Sequence, residues 1–216
     1  MDGTVSPGVA SVTHRPAWIV SAILIGALVV AANAGSRNGA GKSPGPWCGG
    51  TLWRLMTISD LDRGHVRLDR LPTTLSDIAA LASPQEITIH RATRFQLNTW
   101  RLRVVVDRYR IASNGEIVLI LYDIPSAKYM DAYLPNPHCL GPRARDRTGM
   151  IAARDEFTKH CPAATASWQL LGATVDISGA GFWNSVRTTR GALPNGAELR
   201  PLTNLQIVSG CGVAAR

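Results

Sequence analysis

The hydrophobic and polar positions fall into three regimes along the chain. An uncharged apolar block comes first, then a polar tether, then a long succession of alternating segments. Ala17 to Ala34 reads AWIVSAILIGALVVAANA, 18 residues without a charge. As a helix it spans about 27 Å, the lower limit for crossing a hydrocarbon core. A buried soluble helix would show a polar stripe, and none interrupts this run. Two readings remain. Arg15, the apolar stretch and Ala32-Asn33-Ala34 fit a secretory signal with its small-residue cut. The long, nearly neutral segment before it (Asp2 against Arg15) fits an uncleaved anchor equally well. Both readings export the chain beyond residue 34.

Beyond the tether, Trp53-Arg54-Leu55-Met56-Thr57-Ile58 alternates and predicts a short strand. A short helix comes next, with Thr74 as N-cap, Asp77 three residues on, Ile78 and Leu81 as its apolar stripe, and Ser83-Pro84 as its end. Leu97 to Ile111 is a long strand. Leu102, Val104 and Val106 share one face, whereas Tyr109 and Ile111 have the opposite parity. A bulge near Asp107 restores the alternation. Ser113-Asn114-Gly115 turns a hairpin, because Asn-Gly accepts positive φ at low cost. Glu116 to Asp123 reads as a central strand. Lys128 to Leu134 is a third, with Met130, Ala132 and Leu134 on one face and Tyr129, Asp131 and Tyr133 on the other. Met150, Ala153, Arg154 and Phe157 place a helix over 146–160. Leu170 to Gly181 is a fourth strand, and Ala197 to Val208 a fifth, broken by Pro201.

That order predicts a mainly β protein with some α: an OB-like five-stranded barrel with a helix between strands three and four, preceded by an N-terminal apolar helix. The long bulged first strand suits a barrel, because it must bend to pair on both sides. A sandwich would want about seven strands, and a parallel sheet would alternate strand and helix throughout. The organisation expected is 1–34 signal peptide or membrane anchor, 35–47 flexible linker, 48–96 an extension packed on the barrel, and 97–210 the OB-like domain.

Composition sharpens this picture. With 216 residues, 45% apolar and 18% charged, wholesale disorder is excluded, and a single apolar block excludes a polytopic membrane protein. The four cysteines Cys48, Cys139, Cys161 and Cys211 all lie beyond the apolar block and are even in number, which predicts two disulfides outside the reducing interior. Three pairings are open, and Cys48–Cys139 with Cys161–Cys211 is the one preferred. His138-Cys139 and His160-Cys161 also raise a metal site, but adjacent His and Cys do not easily converge on one ion. Within the tether, Gly41-Lys42-Ser43 is a near miss for a phosphate loop. Ser36 stands at the first glycine position, and Pro44 and Pro46 stop a helix from starting.

The C-terminal half carries a further pattern. Ile177-Ser178-Gly179-Ala180-Gly181-Phe182-Trp183-Asn184, then Gly191 and Leu193-Pro194-Asn195-Gly196-Ala197-Glu198-Leu199-Arg200-Pro201-Leu202, resembles a block of small exported bacterial proteins. In those, a Gly-x-Gly-Phe-aromatic-Asp strand end leads into Pro-Asn-Gly-x-Glu-Leu-His-Pro-Val. Cys48-Gly49, Trp53, Thr57, Asp60, Pro72-Thr73-Thr74 and Pro135-Asn136-Pro137-His138-Cys139 look similar too, so the likeness covers 48–208. It implies an architecture and a compartment, and no reaction. Two positions depart from it: Asn184 stands for the Asp and Arg200 for the His. Asn does not ionise and Arg does not give up its proton near neutrality, so acid–base or metal chemistry built on those two positions is crippled. The block then reads as structural, with Glu198 accepting hydrogen bonds from backbone or arginine neighbours.

Catalytic signatures are wanting. Neither G-x-S-x-G nor H-E-x-x-H occurs, and the strands offer Asp107, Asp123, Asp131 and Asp176 singly. No catalytic residue, cofactor or metal is therefore expected. The net charge of +8 rests on 20 arginines against 3 lysines, and guanidinium groups favour planar recognition of phosphate or carboxylate. Tyr129 and Tyr133 share the outer face of the third strand, Arg187 and Arg190 lie in the loop between strands four and five, and these four are the candidate ligand-binding residues. Phe182 and Trp183 flank that loop and would extend its aromatic surface. A competing expectation is that the 48–96 extension covers both tyrosines. The function expected is an exported or anchored non-catalytic binding module for a protein or an anionic envelope polymer. Its membrane contact runs through 17–34 if uncleaved. Nucleic acid is not the expected partner, being scarce outside the cytoplasm. The alternatives are a nuclease-like hydrolase on the same barrel and a purely structural envelope protein.

Overall fold

A computed structural model describes residues 48–186 and 188–211. The described residues all lie within one compact unit. The apolar block at 17–34 and the Gly41-Lys42-Ser43 near miss lie outside the described residues, as does Arg187.

The fold is mainly β with a few helices. Five strands bond in a ring: β2 (Asn98–Ile111), β3 (Ile117–Asp123), β4 (Lys128–Leu134), β6 (Ala197–Ser209) and β5 (Gln169–Trp183), which returns to β2. All neighbours are antiparallel except β4 and β6, which run parallel through Ala132 and Leu199. The ring is barrel-like. A sixth strand, β1 (Arg67–Pro72), which the pattern of 48–96 did not announce, pairs parallel with the start of β2 on the flank that β3 leaves free.

β2 reaches three partners because it changes phase. Its register skips between Val106 and Arg108: against β3 Asp107 is the extra residue, and against β5 Asp107 faces two residues, Leu171 and Gly172. Leu102, Val104 and Val106 before the skip, and Tyr109 after it, therefore all face inward. Met130, Ala132 and Leu134, Ala173, Val175 and Ile177, and Leu199, Leu202 and Leu205 fill the same core. The helix α3 (Arg147–His160) adds Ala153 and Phe157 to that core, with Phe157 edge-on to Tyr109 at 5.2 Å.

Two expectations fail for local reasons. Trp53–Met56 is a helical turn, α1, and not a strand. Leu55 within it and Ile58 just beyond it are buried, three apart, which a strand would turn to opposite faces. Pro201 does not break β6: Leu199 and Leu202 pair with Gly181 and Gly179 across a register irregularity, and Arg200 and Pro201 fall inside it. The second short helix, α2 (Leu75–Ala79), has the expected start, with Thr74 and Asp77 forming a reciprocal capping box.

Two disulfides are present, Cys48–Cys139 and Cys161–Cys211, the pairing preferred from the sequence. Both cysteines of the His-Cys pairs are thereby engaged. The first ties the start of the described chain to the loop after β4, and the second ties the end of α3 to the end of β6. They suggest an oxidising, extracytoplasmic environment. No helix among the described residues is long and apolar enough to cross a membrane.

Candidate functional site

The β2–β3 hairpin fixes one wall of a cleft. Gly115 holds φ at 79° in the turn, and Asn114 secures the first residue beyond it, Glu116. Asn114 Oδ1 accepts the Glu116 backbone N–H at 3.1 Å, and Asn114 Nδ2 donates to Glu116 Oε2 at 2.7 Å. Asn136 Nδ2, beyond β4, donates to the Asn114 carbonyl at 3.2 Å. Glu116 is thus held at the mouth of the hairpin with only 1% of its surface exposed.

A buried carboxylate needs a partner, and β6 supplies it. Arg200 donates to Glu116 from Nε at 3.3 Å and also from Nη2. The Arg200 guanidinium lies 4.1 Å from the Tyr133 ring centroid and 6.0 Å from that of Phe182. Behind Glu116, Arg154 of α3 donates to the carbonyls of Leu134 and Pro135. Burial pushes the Arg154 pKa below its usual value, and the Glu116 charge opposes part of that shift.

The β5–β6 loop forms the opposite wall. Gly191 takes φ 109°, and a side chain there would run into Ile120 and crowd Asp131. The glycine lets the loop lie directly on β3 and β4. Arg190 then reaches Tyr129: Nη2 donates to the phenol oxygen at 3.1 Å, and the guanidinium sits 5.1 Å from the ring centroid. Arg190 Nη2 also approaches Asp107 Oδ2 at 3.4 Å. Between the two walls lies a cleft of about 450 Å³, bordered by Arg110, Asp131, Tyr133, Trp168, Arg190 and Arg200 among others. Arg110 stands 4.9 Å from the Trp168 ring centroid, and its buried Nε has no hydrogen-bond partner among the described residues.

Three guanidinium–aromatic stacks therefore meet in this region: Arg110 on Trp168, Arg190 on Tyr129, and Arg200 on Tyr133. Of the residues singled out from the sequence, Tyr133 and Arg190 line the cleft. Tyr129 borders a neighbouring hollow that Arg190 also lines. Arg187 lies outside the described residues. Tyr133 is covered by Arg200 rather than left open for stacking. Phe182 and Trp183 do not extend the surface: both are buried, and Trp183 Nε1 donates to Thr93 Oγ1 at 2.8 Å inside the core. The strand end alternates, but it is sealed on both sides, which no local pattern reveals.

Sequence reasoning missed Arg110, Glu116, Trp168 and the role of Arg200. Only Arg110 had a signal, as an outward residue beside inward Tyr109. At the two positions where the sequence departs from the block it resembles, Asn184 Nδ2 donates to Glu198 Oε1 at 2.8 Å, and Arg200 pairs with Glu116. Glu198 thus accepts from the Asn184 side-chain amide. Among the described residues no three His, Cys, Asp or Glu side chains cluster as metal ligands. No family model matches this chain, and no curated protein or solved structure matches it.

Proposed function

We propose that this chain is an extracytoplasmic, non-catalytic binding module on an OB-like barrel, and that the cleft between the β2–β3 hairpin and the β5–β6 loop is its ligand site. The strand order 1-2-3-5-4-1, counted from β2, supports the OB-like reading. In that architecture the face of the second and third strands, with the loops after strands one and four, is where ligands bind, and this cleft occupies the corresponding place. The family resemblance of the 177–202 block and the apolar leader fit the same compartment.

The observation that carries the reading is Arg110. Its Nε is buried beside a ligand-sized cleft with nothing to donate to among the described residues, and a buried donor calls for an acceptor. Because the aromatic faces are already occupied by guanidinium groups, the cleft presents oriented donors rather than bare rings. That favours the carboxylates of an acidic protein segment over bases or sugars that need a face to stack on. The carboxylates of the cleft do not favour catalysis, since Glu116 already accepts from Arg200 and Asn114.

The test is cross-linking of the full oxidised chain to its envelope partners, beside the Arg110→Glu/Arg190→Glu variant. Loss of a partner on charge reversal supports the reading. Retention of every partner by the variant refutes the cleft as the site. Turnover of a nucleic acid or an ester that a chelator abolishes would establish the hydrolase alternative instead.

A further inference from the structure

A second cleft lies on the outer surface where β1, β2, β5 and β6 run side by side, away from the hairpin and the β5–β6 loop. Its volume is about 460 Å³, and it is bordered by Arg70, Arg101, Arg103, Asp176, Asn204 and Gln206 among others. The strand alternation builds it. Leu102 points into the core, so Arg101 and Arg103 both point out, two residues or about 7 Å apart along β2. Ladder pairing then sets two rows across the sheet: Arg101, Ser178 and Asn204 in one, and Arg103, Asp176 and Gln206 in the other. β1 brings Arg70 level with Thr99, two residues before Arg101, so Arg101 stands between Arg70 and Arg103.

The charges in this cleft are not balanced. Asp176 engages one guanidinium, Arg103, through a two-point contact at 2.9 and 2.6 Å. Neither Arg70 nor Arg101 forms an ion pair among the described residues. Asp146 feels the Arg70 charge but is not in ion-pair contact with it. Three arginines thus face one carboxylate, and Asn204 and Gln206 add neutral amide donors. Guanidinium forks match the oxygens of phosphate two at a time.

From this arrangement we infer that the second cleft binds a ligand carrying successive phosphate groups about 7 Å or less apart, one group between Arg70 and Arg101 and the next at Arg103. The test titrates the full oxidised chain with inorganic tripolyphosphate and with inorganic monophosphate. The expected result is at least tenfold tighter binding of tripolyphosphate, weakening steeply with salt. The Arg70→Ala/Arg101→Ala variant should lose at least tenfold of that affinity with an unchanged melting temperature. The charge-matched Arg110→Ala/Arg190→Ala variant, altered in the other cleft, should keep it. Equal binding of mono- and tripolyphosphate, or equal losses in the two variants, overturns the inference, because general basicity then accounts for the binding. A thymidylate oligomer that displaces tripolyphosphate assigns the site to phosphodiester chains. Failure to displace it assigns the site to free polyphosphate.

Discussion

Arg91 and Arg200 are each buried against a carboxylate, and they differ in what else the guanidinium touches. Arg91 donates to both oxygens of Asp60, to the Leu55 carbonyl at 2.7 Å and to the Gln96 carbonyl at 3.0 Å. Its side chain is 0% exposed and that of Asp60 2%. Every edge of that guanidinium is used to hold α1, Asp60 and the approach to β2 together. Arg200 donates only to Glu116 among the described residues, lays its plane on Tyr133, and keeps 10% of its side chain open at the cleft. The first pair fastens, while the second presents. Burial alone does not distinguish the two pairs; the number of donor edges left open does.

The largest effect comes from breaking the sealed pair. Arg91→Ala leaves Asp60 charged, buried and surrounded by orphaned carbonyls, and should cost about 3–5 kcal/mol of stability. A urea melt reads this directly, as a lower midpoint at an unchanged slope. Arg200→Ala should cost less, about 1.5–3 kcal/mol, the range for a hydrogen bond to a charged group. Glu116 keeps both Asn114 contacts, and the cleft admits water to the vacated space. A larger loss at Arg200 than at Arg91 would reverse the comparison and make the cleft the structural keystone.

How far such features could be read ahead depends on whether they are local. The bulge at Asp107 showed itself because it shifts the parity of apolar residues within one strand. The hairpin at Asn114-Gly115 and the capping box at Thr74 are written in adjacent residues. The ring order was reachable because each strand lies beside a chain neighbour or is joined through α3. The second cleft was not, since Arg70, Arg101 and Asn204 converge only through ladder register. The same holds for β1, whose residues are almost wholly exposed and whose alternation is masked by charge. It is a strand because β2 offers it an edge. Trp53–Met56 misled for the opposite reason: four residues suit either period, and only the burial of Leu55 with Ile58 decides between them.

A smaller change should separate the presenting pair from the wall that faces it. Gly191→Ala puts a methyl at φ 109° against Ile120, so the β5–β6 loop must lift from β3 and β4. The strain is about 1–3 kcal/mol. Because Arg200 and Glu116 lie on β6 and the hairpin, they stay in place while Arg190 withdraws from Tyr129. If the cleft is the ligand site proposed above, the variant should therefore lose affinity for the proposed partner by more than its stability loss explains, which a partner titration beside a thermal melt would show.

The exposed counterpart of both pairs is Arg103 with Asp176, whose side chains are 67% and 27% exposed. The hydrogen bonds from Arg103 hold the Asp176 pKa below its ordinary value; burial opposes them, and the charges of Arg103 and Arg101 assist. A lowered carboxylate pKa contributes stability that is present above the unfolded value near 3.8 and is lost as the pH falls through the folded one. Water and salt screen a contact this open, so Arg103→Ala should leave the melting temperature at neutral pH unchanged. What should move is the Asp176 carboxyl itself, whose titration, followed by NMR, rises toward 3.8 in the variant. The same variant should not alter the Glu116–Arg200 pair, which lies on other residues of other strands. An Asp176 titration indifferent to Arg103 would mean that the two-point contact does not persist in solution, and that Arg103 is as free as Arg70 and Arg101 to meet an anion.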